Sequence, residues 1–389
     1  MRSLLLLTWR YLSFHRMRTL TLSACIALVL FLPLSVQWLI GHYSRTMAAR
    51  AAATPLVIGR LGSRYDLVLN ALYFKGEIQH RMTMSEAHGI NRDGLGTAVP
   101  LYANHTAKAF PIIGTSPDYY PQRGLVAQSG TLPLKVGDAV LGAGVAAALG
   151  LEGGDTLLSD TRNLYDISKS SALMMSVTGV LAPTGSADDR AIFVDVKTAW
   201  VIDGLGHGHD DVTVESATDQ VLSRDDGNVV ANASVVRYRR ITPENIDSFH
   251  FHGDPGAFPV SSILVFPRDR KSSTLLKGRY RVSEEHHAIV PTEALDEIMD
   301  LVVRIKRFFD MNTILVSAAA GLFLLLVILL TLRIRQRELE TLFRIGCGRL
   351  TVFWLQTTEL GLVILAGIVT AGVLSAFLAL VVVRSGSIL

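Results

Sequence analysis

Three long stretches without a charged residue constrain this chain more than any other feature. They cover residues 19–40, 312–332 and 360–383, and each has 21 to 24 residues. At about 1.5 Å of rise per residue, a helix of that length crosses the roughly 30 Å hydrocarbon core of a bilayer. A buried soluble helix of this length without one charge is improbable. The sequence therefore predicts three membrane spans, at residues 19–40, 312–332 and 355–384.

The first stretch is not typical of a cleaved signal peptide. Its apolar run is longer than the 7–15 residues usual for a signal peptide, and no small-x-small site follows it at a suitable distance. The residues Leu22 to Cys25 resemble a lipobox, but the apolar run follows this cysteine instead of preceding it. We interpret the stretch as a span that stays in the chain.

The distribution of charge predicts the orientation of the spans. Residues 1–18 contain four arginines and no acid, and residues 333–354 contain five arginines, so the positive-inside rule places both in the cytoplasm. Residues 41–311 hold 27 basic and 31 acidic residues, a net charge of −4, and are expected outside. With three spans, the tail at 385–389 is also expected outside.

The large outer segment, 41–311, is expected to fold on its own core. The two cysteines of the chain, Cys25 and Cys347, are placed at different depths by the topology, so no disulfide is expected. A segment of 271 residues is long enough to bury a core without one.

Short strand-like runs and one helix–turn unit, residues 143–151, predict an α+β fold for the outer domain. The polar stretch at residues 203–232 is expected to be a loop or insertion. The fold class is therefore an α-helical membrane protein with three spans and a large α+β extracytoplasmic domain between the first two. The predicted strands cover residues 55–58, 109–113, 174–180, 191–196 and 262–266.

Two amphipathic helices are expected next to the spans. Residues 1–18 place Leu4, Leu7, Tyr11 and Phe14 on one face, which is typical of a helix in the cytoplasmic interface; an ordinary charged flank is the alternative. Residues 292–311 also have helical periodicity and lead into the second span. This stalk helix either connects the domain stiffly to the membrane or simply packs on its own domain.

No catalytic motif is present. The dipeptide Gly-Lys does not occur, which excludes a Walker A loop, and G-x-S-x-G, H-E-x-x-H and C-x-x-C are also absent. Asp188 and Asp189, beside Arg190, are interpreted as a salt-bridged turn instead of a catalytic pair. We expect no enzymatic activity in this chain, so any energy source must lie in a partner.

Four histidines have a spacing that could hold a metal ion. His207 and His209 form one pair and His250 and His252 a second, each with both side chains on one face of a strand. Two such pairs could bind Zn²⁺ or Cu²⁺. Because no cysteine assists and surface histidines are common in polar loops, the expectation is no metal site.

The cytoplasmic loop contains a short helix suited to binding a partner. Leu339, Leu342 and Phe343 form an apolar patch at spacing i, i+3, i+4, while Glu340 and Arg344 pair at i, i+4. Such a helix fits a groove in another protein, although a solvated or membrane-surface connector explains the pattern equally well. Two glycines, at 346 and 348, are expected to end it before the third span.

Small residues recur at every fourth position of the third span. This stripe predicts tight packing on another helix, because small residues let helix backbones approach closely in lipid. Its members are Gly367, Ala371, Ser375 and Ala379.

The cytoplasmic segment 335–349 reads R-x-R-E-L-x-x-L-x-x-I-G-x-x-R and is followed by Glu359. It resembles the permease subunits of MacB, LolC/LolE and FtsX-type ABC transporters. Residues 9–20 are similar to the amphipathic helix of that family, and residues 139–156 to its G-x-x-v-A-x-x-L-G-L element. The resemblance implies that the loop at 333–354 carries a coupling helix that docks on an ATPase. The contact residues would be Arg337, Glu338, Leu339, Leu342, Phe343, Arg344 and Gly346.

The resemblance also implies partners and a location. The chain itself would bind no cofactor, because ATP and Mg²⁺ belong to a LolD/MacB-like ATPase in the cytoplasm. Other implied partners are a second permease copy or paralogue, a periplasmic adaptor or lipoprotein, and membrane lipid, with no nucleic acid. The location would be the bacterial inner membrane, and the substrate a lipoprotein, peptide or amphiphile.

Two alternatives stay open at the level of sequence. One is an FtsX-like regulator that activates an extracytoplasmic enzyme without transport, and the other is a membrane-anchored metal or ligand sensor. The family has four spans where this sequence has three, which leaves open whether the chain works as a homodimer or beside a paralogue.

The predicted topology can be tested by cysteine labelling. With Cys25 and Cys347 replaced by serine, Ser387→Cys should react with a membrane-impermeant maleimide in intact spheroplasts, because residues 385–389 are expected outside. Labelling only after lysis would show a re-entrant or incomplete third span.

Overall fold

The computed structural model describes residues 2–133, 135–160, 172–208, 221–225, 228–231, 240–242, 244–251, 253–334, 340–341, 344 and 346–385. The chain divides into two compact units. The helical unit comprises Met1–Arg45 and Ile298–Ile388, and the sheet unit comprises Thr46–Glu297. One unit is thus inserted in the sequence between the two parts of the other.

Helices occur in both units. In the described part of the chain they are α1 (Arg2–Phe14), α2 (Arg16–Ala52), α3 (Arg64–Tyr73), α4 (Met84–Arg92), α5 (Tyr119–Arg123), α6 (Ala143–Leu149), α7 (Val196–Ile202), α8 (Arg270–Arg281), α9 (Pro291–Ile334) and α10 (Arg349–Ser385).

The strands belong to the sheet unit. They are β1 (Leu56–Arg60), β2 (Met82–Thr83), β3 (Gly96–Ala107), β4 (Phe110–Thr115), β5 (Ala127–Gly130), β6 (Asp138–Leu141), β7 (Thr156–Leu158), β8 (Met174–Leu181), β9 (Ile192–Asp195), β10 (Gly206–Gly208), β11 (Val221–Asp225), β12 (Asn228–Ala231), β13 (Phe249–Phe251), β14 (Pro259–Val260), β15 (Ser262–Pro267) and β16 (His286–Ile289).

Ten of these strands form one mixed sheet in the order β16-β1-β15-β3-β4-β9-β6-β8-β5, with β7 also paired to β8. The pairs β4–β9 and β6–β8 are parallel and the others antiparallel. The mixed sheet with helices agrees with the α+β prediction. The five predicted strands correspond to β1, β4, β8, β9 and β15, with ends shifted by at most two residues.

The polar stretch at residues 203–232 differs from the prediction of a loop. It contains β10, which pairs with β13, and the β11–β12 hairpin. Strands of three to five residues are too short to show a clear alternation in the sequence. They form here because partner strands supply their hydrogen bonds, which the sequence pattern does not show.

The hairpin between β3 and β4 turns at Lys108 and Ala109, which both have positive φ, 51° and 67°. Two-residue turns of this hand usually contain glycine or asparagine, because other side chains disfavour the left-handed region. Asp160 supports the turn by accepting hydrogen bonds from both backbone N–H groups and from Thr106 Oγ1. Burial would raise the pKa of Asp160, but these three hydrogen bonds outweigh it and lower that pKa.

Helix α7 lies directly on the sheet at Gly114 of β4. A Cβ added to Gly114 would lie 2.6 Å from the Cβ of Ala199, so only glycine permits this approach. The adjoining Trp200 is buried and donates its indole N–H to the carbonyl of Pro259 at 2.8 Å. This face holds one part of the hydrophobic core.

In the described part of the chain, two helices are long and apolar enough to cross a membrane, namely α2 and residues Arg349–Val382 of α10. Helix α2 contains the first predicted span, and helix α10 contains the third. The second predicted span, residues 312–332, lies within α9, which runs without interruption from Pro291 to Ile334. The count of three spans stays a prediction.

The N-terminal helix α1 packs on α10. From Leu6 onward, where the side chains of α1 are described, Thr8 and Leu12 are buried, while Leu7 and Phe14 are 60% and 82% exposed. Leu7 and Phe14 belong to the predicted apolar face, and the interfacial position of this helix stays a prediction.

A buried ion pair fixes the end of α2 in the sheet unit. Arg50 donates to both carboxylate oxygens of Asp188, at 2.5 and 2.8 Å, and its Nε donates to the carbonyl of Leu72. Tyr119 donates to the same carboxylate at 2.6 Å, and Ser186 at 3.1 Å. Burial by itself would raise the pKa of Asp188, but the Arg50 charge and these hydrogen bonds hold it below its usual range.

Asp188→Ala should destabilise the sheet unit by about 3–5 kcal/mol, because it leaves the Arg50 guanidinium buried without its counter-charge. Urea unfolding of the full chain in detergent, followed by the near-UV circular dichroism of the buried aromatic residues, measures the loss. Asp296→Ala, an exposed acid of α9, is the matched control. Equal unfolding midpoints for the two variants would contradict the role of the pair.

The same pair predicts an acid-sensitive stability. A carboxylate whose folded pKa is lowered contributes stability above its unfolded pKa of about 3.9, and the contribution is lost as the pH falls through the folded pKa. Below about pH 4, the wild-type protein should therefore lose stability towards the level of Asp188→Ala. Unfolding midpoints at pH 7 and pH 3 for both proteins give the comparison, and parallel pH profiles would contradict it.

Candidate functional site

The predicted partner-binding segment lies mostly outside the described residues. Arg337, Glu338, Leu339, Leu342 and Phe343 are among those not described.

Within this segment, Glu340, Thr341 and Arg344 are helical, and the first and last of these have exposed side chains. Gly346 follows with φ of 92°, the left-handed conformation that ends many helices. Helix α10 then begins at Arg349, so the two glycines separate the helical residues as predicted.

The stripe of small residues in α10 faces α2 within the helical unit. Gly367 and Ala371 are buried, while Ser375 and Ala379 are half-buried. A Cβ added to Gly367 would lie 2.6 Å from Cγ2 of Ile26, so the two backbones meet where the side chain is smallest.

Polar contacts accompany this close approach. Ser23 Oγ donates to the carbonyl of Val363 at 3.3 Å, and the hydroxyls of Ser35 and Ser375 lie 3.4 Å apart. Hydrogen bonds between helices are a main source of association in lipid, where the hydrophobic effect does not drive helix pairing. The stripe thus joins two helices of one chain.

An ion pair extends the stripe towards the basic end of α2. Arg18 Nη2 lies 2.5 Å from Glu359 Oε1, and the Glu359 side chain is only 11% exposed. Glu359 and Val363 continue the four-residue spacing of the stripe, and both are buried. Charged groups next to a span are paired because an isolated charge is costly in lipid. The pair fixes α2 and α10 to each other.

In the sequence, Arg18 belongs to the basic N-terminal segment and Glu359 follows the family motif, and no pattern pairs the two residues. The spacing of Glu359 from Gly367, two helical repeats of four, was a signal that this carboxylate shares the packed face of α10.

The two histidine pairs are only partly within the described residues. His207 of β10 and His250 of β13 are directly opposite each other in the pairing of the two strands. His209 and His252 lie outside the described residues. Among the residues that the structure describes, no group of three or more His, Cys, Asp or Glu side chains is placed to hold a metal ion.

The acidic turn at residues 188–190 is built differently from the prediction. Asp188 pairs with Arg50 instead of Arg190. Asp189 accepts hydrogen bonds from the backbone N–H groups of Thr184 and Gly185, and so caps the turn. Both carboxylates thus accept hydrogen bonds from groups that hold the turn in place.

A second polar cluster was not predicted. Asp203, at the end of α7, accepts from Tyr102 at 2.5 Å and from Arg81 at 3.1 Å, and it lies 3.4 Å from His105 Nε2. Burial would raise the pKa of Asp203, but the contacts with His105 and Tyr102 and the Arg81 charge lower it to about 2. These residues come from three separate segments, so no local pattern in the sequence signals the cluster.

Gly367→Leu should weaken the helical unit, because the new side chain would collide with Ile26; overpacking typically costs about 1–3 kcal/mol. Ala371→Leu should act in the same direction. The thermal midpoint of the full chain in detergent, read by size-exclusion chromatography after heating, measures the effect. Gly372→Leu is the control, because Gly372 has open space around it. Similar losses at positions 367 and 372 would show that the stripe is there by composition alone.

Comparisons with known proteins give only distant likenesses. No protein-family model matches the sequence, and no curated protein matches it either. The periplasmic region of MacB from Actinobacillus actinomycetemcomitans has a TM-score of 0.36 at 11% identity, covering 64% of this chain and 95% of that one. The extracellular domain of the noncanonic ABC-type transporter YknZ from Gram-positive bacteria has a TM-score of 0.33 at 12% identity. The match covers 60% of this chain and 98% of that one. A domain of a protein described as a permease from Porphyromonas gingivalis has a TM-score of 0.27 at 10% identity. The match covers 60% of this chain and 85% of that one.

Proposed function

We propose that this chain is the transmembrane subunit of an ABC transporter, which passes ATP-driven motion from a cytoplasmic ATPase to an extracytoplasmic domain. The observation that carries the proposal is the insertion of one sheet unit, Thr46–Glu297, between two parts of a helical unit that contains long apolar helices. A sensor or an enzyme needs only an anchor. The packed pair of α2 and α10 provides more than an anchor.

The continuity of two helices supports a mechanical role. Helices α2 and α9 each contain residues of both units, and α9 has 44 residues. A continuous helix transmits displacement because each residue is hydrogen-bonded to the next turn. In α2, Pro33 removes one such bond, whereas the only proline of α9 is its first residue, where no bond is lost. Helix α9 is therefore the stiffer path.

The cytoplasmic loop provides the surface on which the force would act. Its arginines and the apolar residues Leu339, Leu342 and Phe343 have the composition of a helix that inserts into a partner's groove. The loop joins α9 to α10, so a push on it reaches both the long helix and the packed pair. The ATPase would bind ATP and Mg²⁺, since this chain lacks a Walker A loop.

The substrate in this proposal is a lipoprotein, peptide or amphiphile taken up on the outer side of the membrane. The partners are a LolD/MacB-like ATPase, a second permease copy or paralogue, and a periplasmic adaptor or lipoprotein. The location is the bacterial inner membrane, with the N-terminus in the cytoplasm.

Phe343→Asp should release the ATPase. Truncating an anchor of a small interface typically costs about 2 kcal/mol or more, which corresponds to roughly a thirtyfold loss of affinity. The affinity-tagged full chain is purified from native membranes, and co-purifying ABC ATPase is measured by mass spectrometry and by vanadate-sensitive ATP hydrolysis.

Two control variants separate the coupling contact from general damage. Leu275→Asp makes the same apolar-to-acid change on the sheet unit, at a side chain that is 51% exposed, and should leave the ATPase bound. Arg349→Ala should do little if that residue only sets topology. Retention of the ATPase by Phe343→Asp at wild-type stoichiometry would refute the coupling role of this helix.

A further inference from the structure

The strands β10 and β13 form a small antiparallel ribbon whose two faces differ sharply. Gly206 lies opposite Phe251, His207 opposite His250, and Gly208 opposite Phe249. Because successive side chains of a strand point to opposite faces, the glycines and phenylalanines share one face and the two histidines share the other.

The glycine–phenylalanine face packs on the core and fixes the register of the ribbon. A Cβ added to Gly206 would lie 2.6 Å from the Phe251 ring, and one added to Gly208 would lie 2.5 Å from the Phe249 ring. The Phe251 ring in turn meets Trp200, with ring centroids 6.4 Å apart. A slip of one residue would push the rings off the core, so this packing holds the histidines opposite each other.

The two imidazoles are close and outward-facing. Their ring centroids lie 4.9 Å apart with the planes inclined by 63°. The side chain of His250 is exposed and that of His207 is half-buried. This is the geometry of directly opposed strand residues, whose side chains come within reach of a common small ligand.

A backbone contact sets the tautomer of His250. Its Nδ1 lies 3.0 Å from the carbonyl oxygen of Ser248. A carbonyl only accepts hydrogen bonds, so Nδ1 must carry the proton, and in the neutral ring the lone pair then resides on Nε2. Metal-binding histidines characteristically donate their other ring N–H to a carbonyl or carboxylate in this way, which orients the ring and raises its basicity.

We propose that His207 and His250 form a two-histidine site for a divalent transition-metal ion on the outer face of the sheet unit. Imidazole nitrogen suits Cu²⁺, Ni²⁺ and Zn²⁺, and among these Cu²⁺ binds a given nitrogen site most tightly. The other coordination positions of the ion are left to water or to a ligand that the ion carries. The site is thus open, suited to exchange of the ion or to capture of a metal-bound ligand, and it does not depend on the ATPase.

The test uses the full-length protein in detergent and Cu²⁺ alone as the probe. Isothermal titration gives the affinity, and electron paramagnetic resonance of the bound Cu²⁺ reports the number of coordinating nitrogens. The variants are His207→Asn and His250→Asn, both on the outward face and away from the core packing. His88→Asn is the control, since His88 is an exposed histidine of α4.

The wild type and the control should show two-nitrogen coordination at equal affinity. Each ribbon variant should bind about tenfold more weakly or worse and lose one nitrogen from the spectrum, because loss of a ligand costs at least as much as loss of its supporting shell. Unchanged affinity and spectrum in both ribbon variants would overturn the site. Thermal midpoints equal to wild type confirm that the variants remain folded.

Discussion

The ion pair between Arg50 and Asp188 fixes where three segments of the sheet unit meet. Removing two charges from water costs several kcal/mol each, and only a complete set of partners offsets that cost. Here the guanidinium reaches the carboxylate twice, and its Nε is satisfied by the carbonyl of Leu72. The pair therefore joins the end of α2, the end of α3 and the turn before β9. A helix end that would otherwise fray is held at one defined position.

The helical unit is organised by a different constraint. In lipid, apolar side chains gain little by contacting each other instead of acyl chains, so helices associate through close backbone approach and polar contacts. Helix α10 provides both on one face, at positions eight residues apart: a charge at Glu359, a close approach at Gly367 and a hydroxyl at Ser375. The sheet unit and the helices in lipid thus use different residues for the same purpose. In both, the purpose is to keep two segments in one fixed arrangement.

The sequence predicted those strands and helices that have a clear local pattern of apolar residues and turn residues. The strand Met174–Leu181 alternates buried and half-buried positions with period two, and the helix at Ala143 ends at a glycine with positive φ; both were predictable within two residues. The twelve-residue strand β3 was missed because it is largely buried on both faces and contains Pro100, so no alternation marks it.

The partners of Arg50 and Asp203 could not be predicted from sequence either. Arg50 is 138 residues from Asp188 in the sequence, and Tyr102 is 101 residues from Asp203. Such pairs form only after the sheet has brought distant segments together. Of the candidate site, the stripe in α10 was visible as a repeat, whereas its ion pair with Arg18 required the fold. The ribbon of β10 and β13 makes the same point, because its glycines are interpretable only once Phe249 and Phe251 are seen to occupy the space they leave.

In the β10–β13 ribbon, the residues that stabilise the fold and the residues that would bind a ligand lie on opposite faces. Its register is set by the glycines and aromatic rings on the inner face, and that packing does not require imidazoles on the outer one. The side chains at positions 207 and 250 can therefore serve ligand binding without lowering the stability of the fold. At Asp188 the opposite holds, because the carboxylate that could do chemistry is used up in holding the fold. The capacity to bind a ligand accordingly belongs on the ribbon, where the fold is already secured.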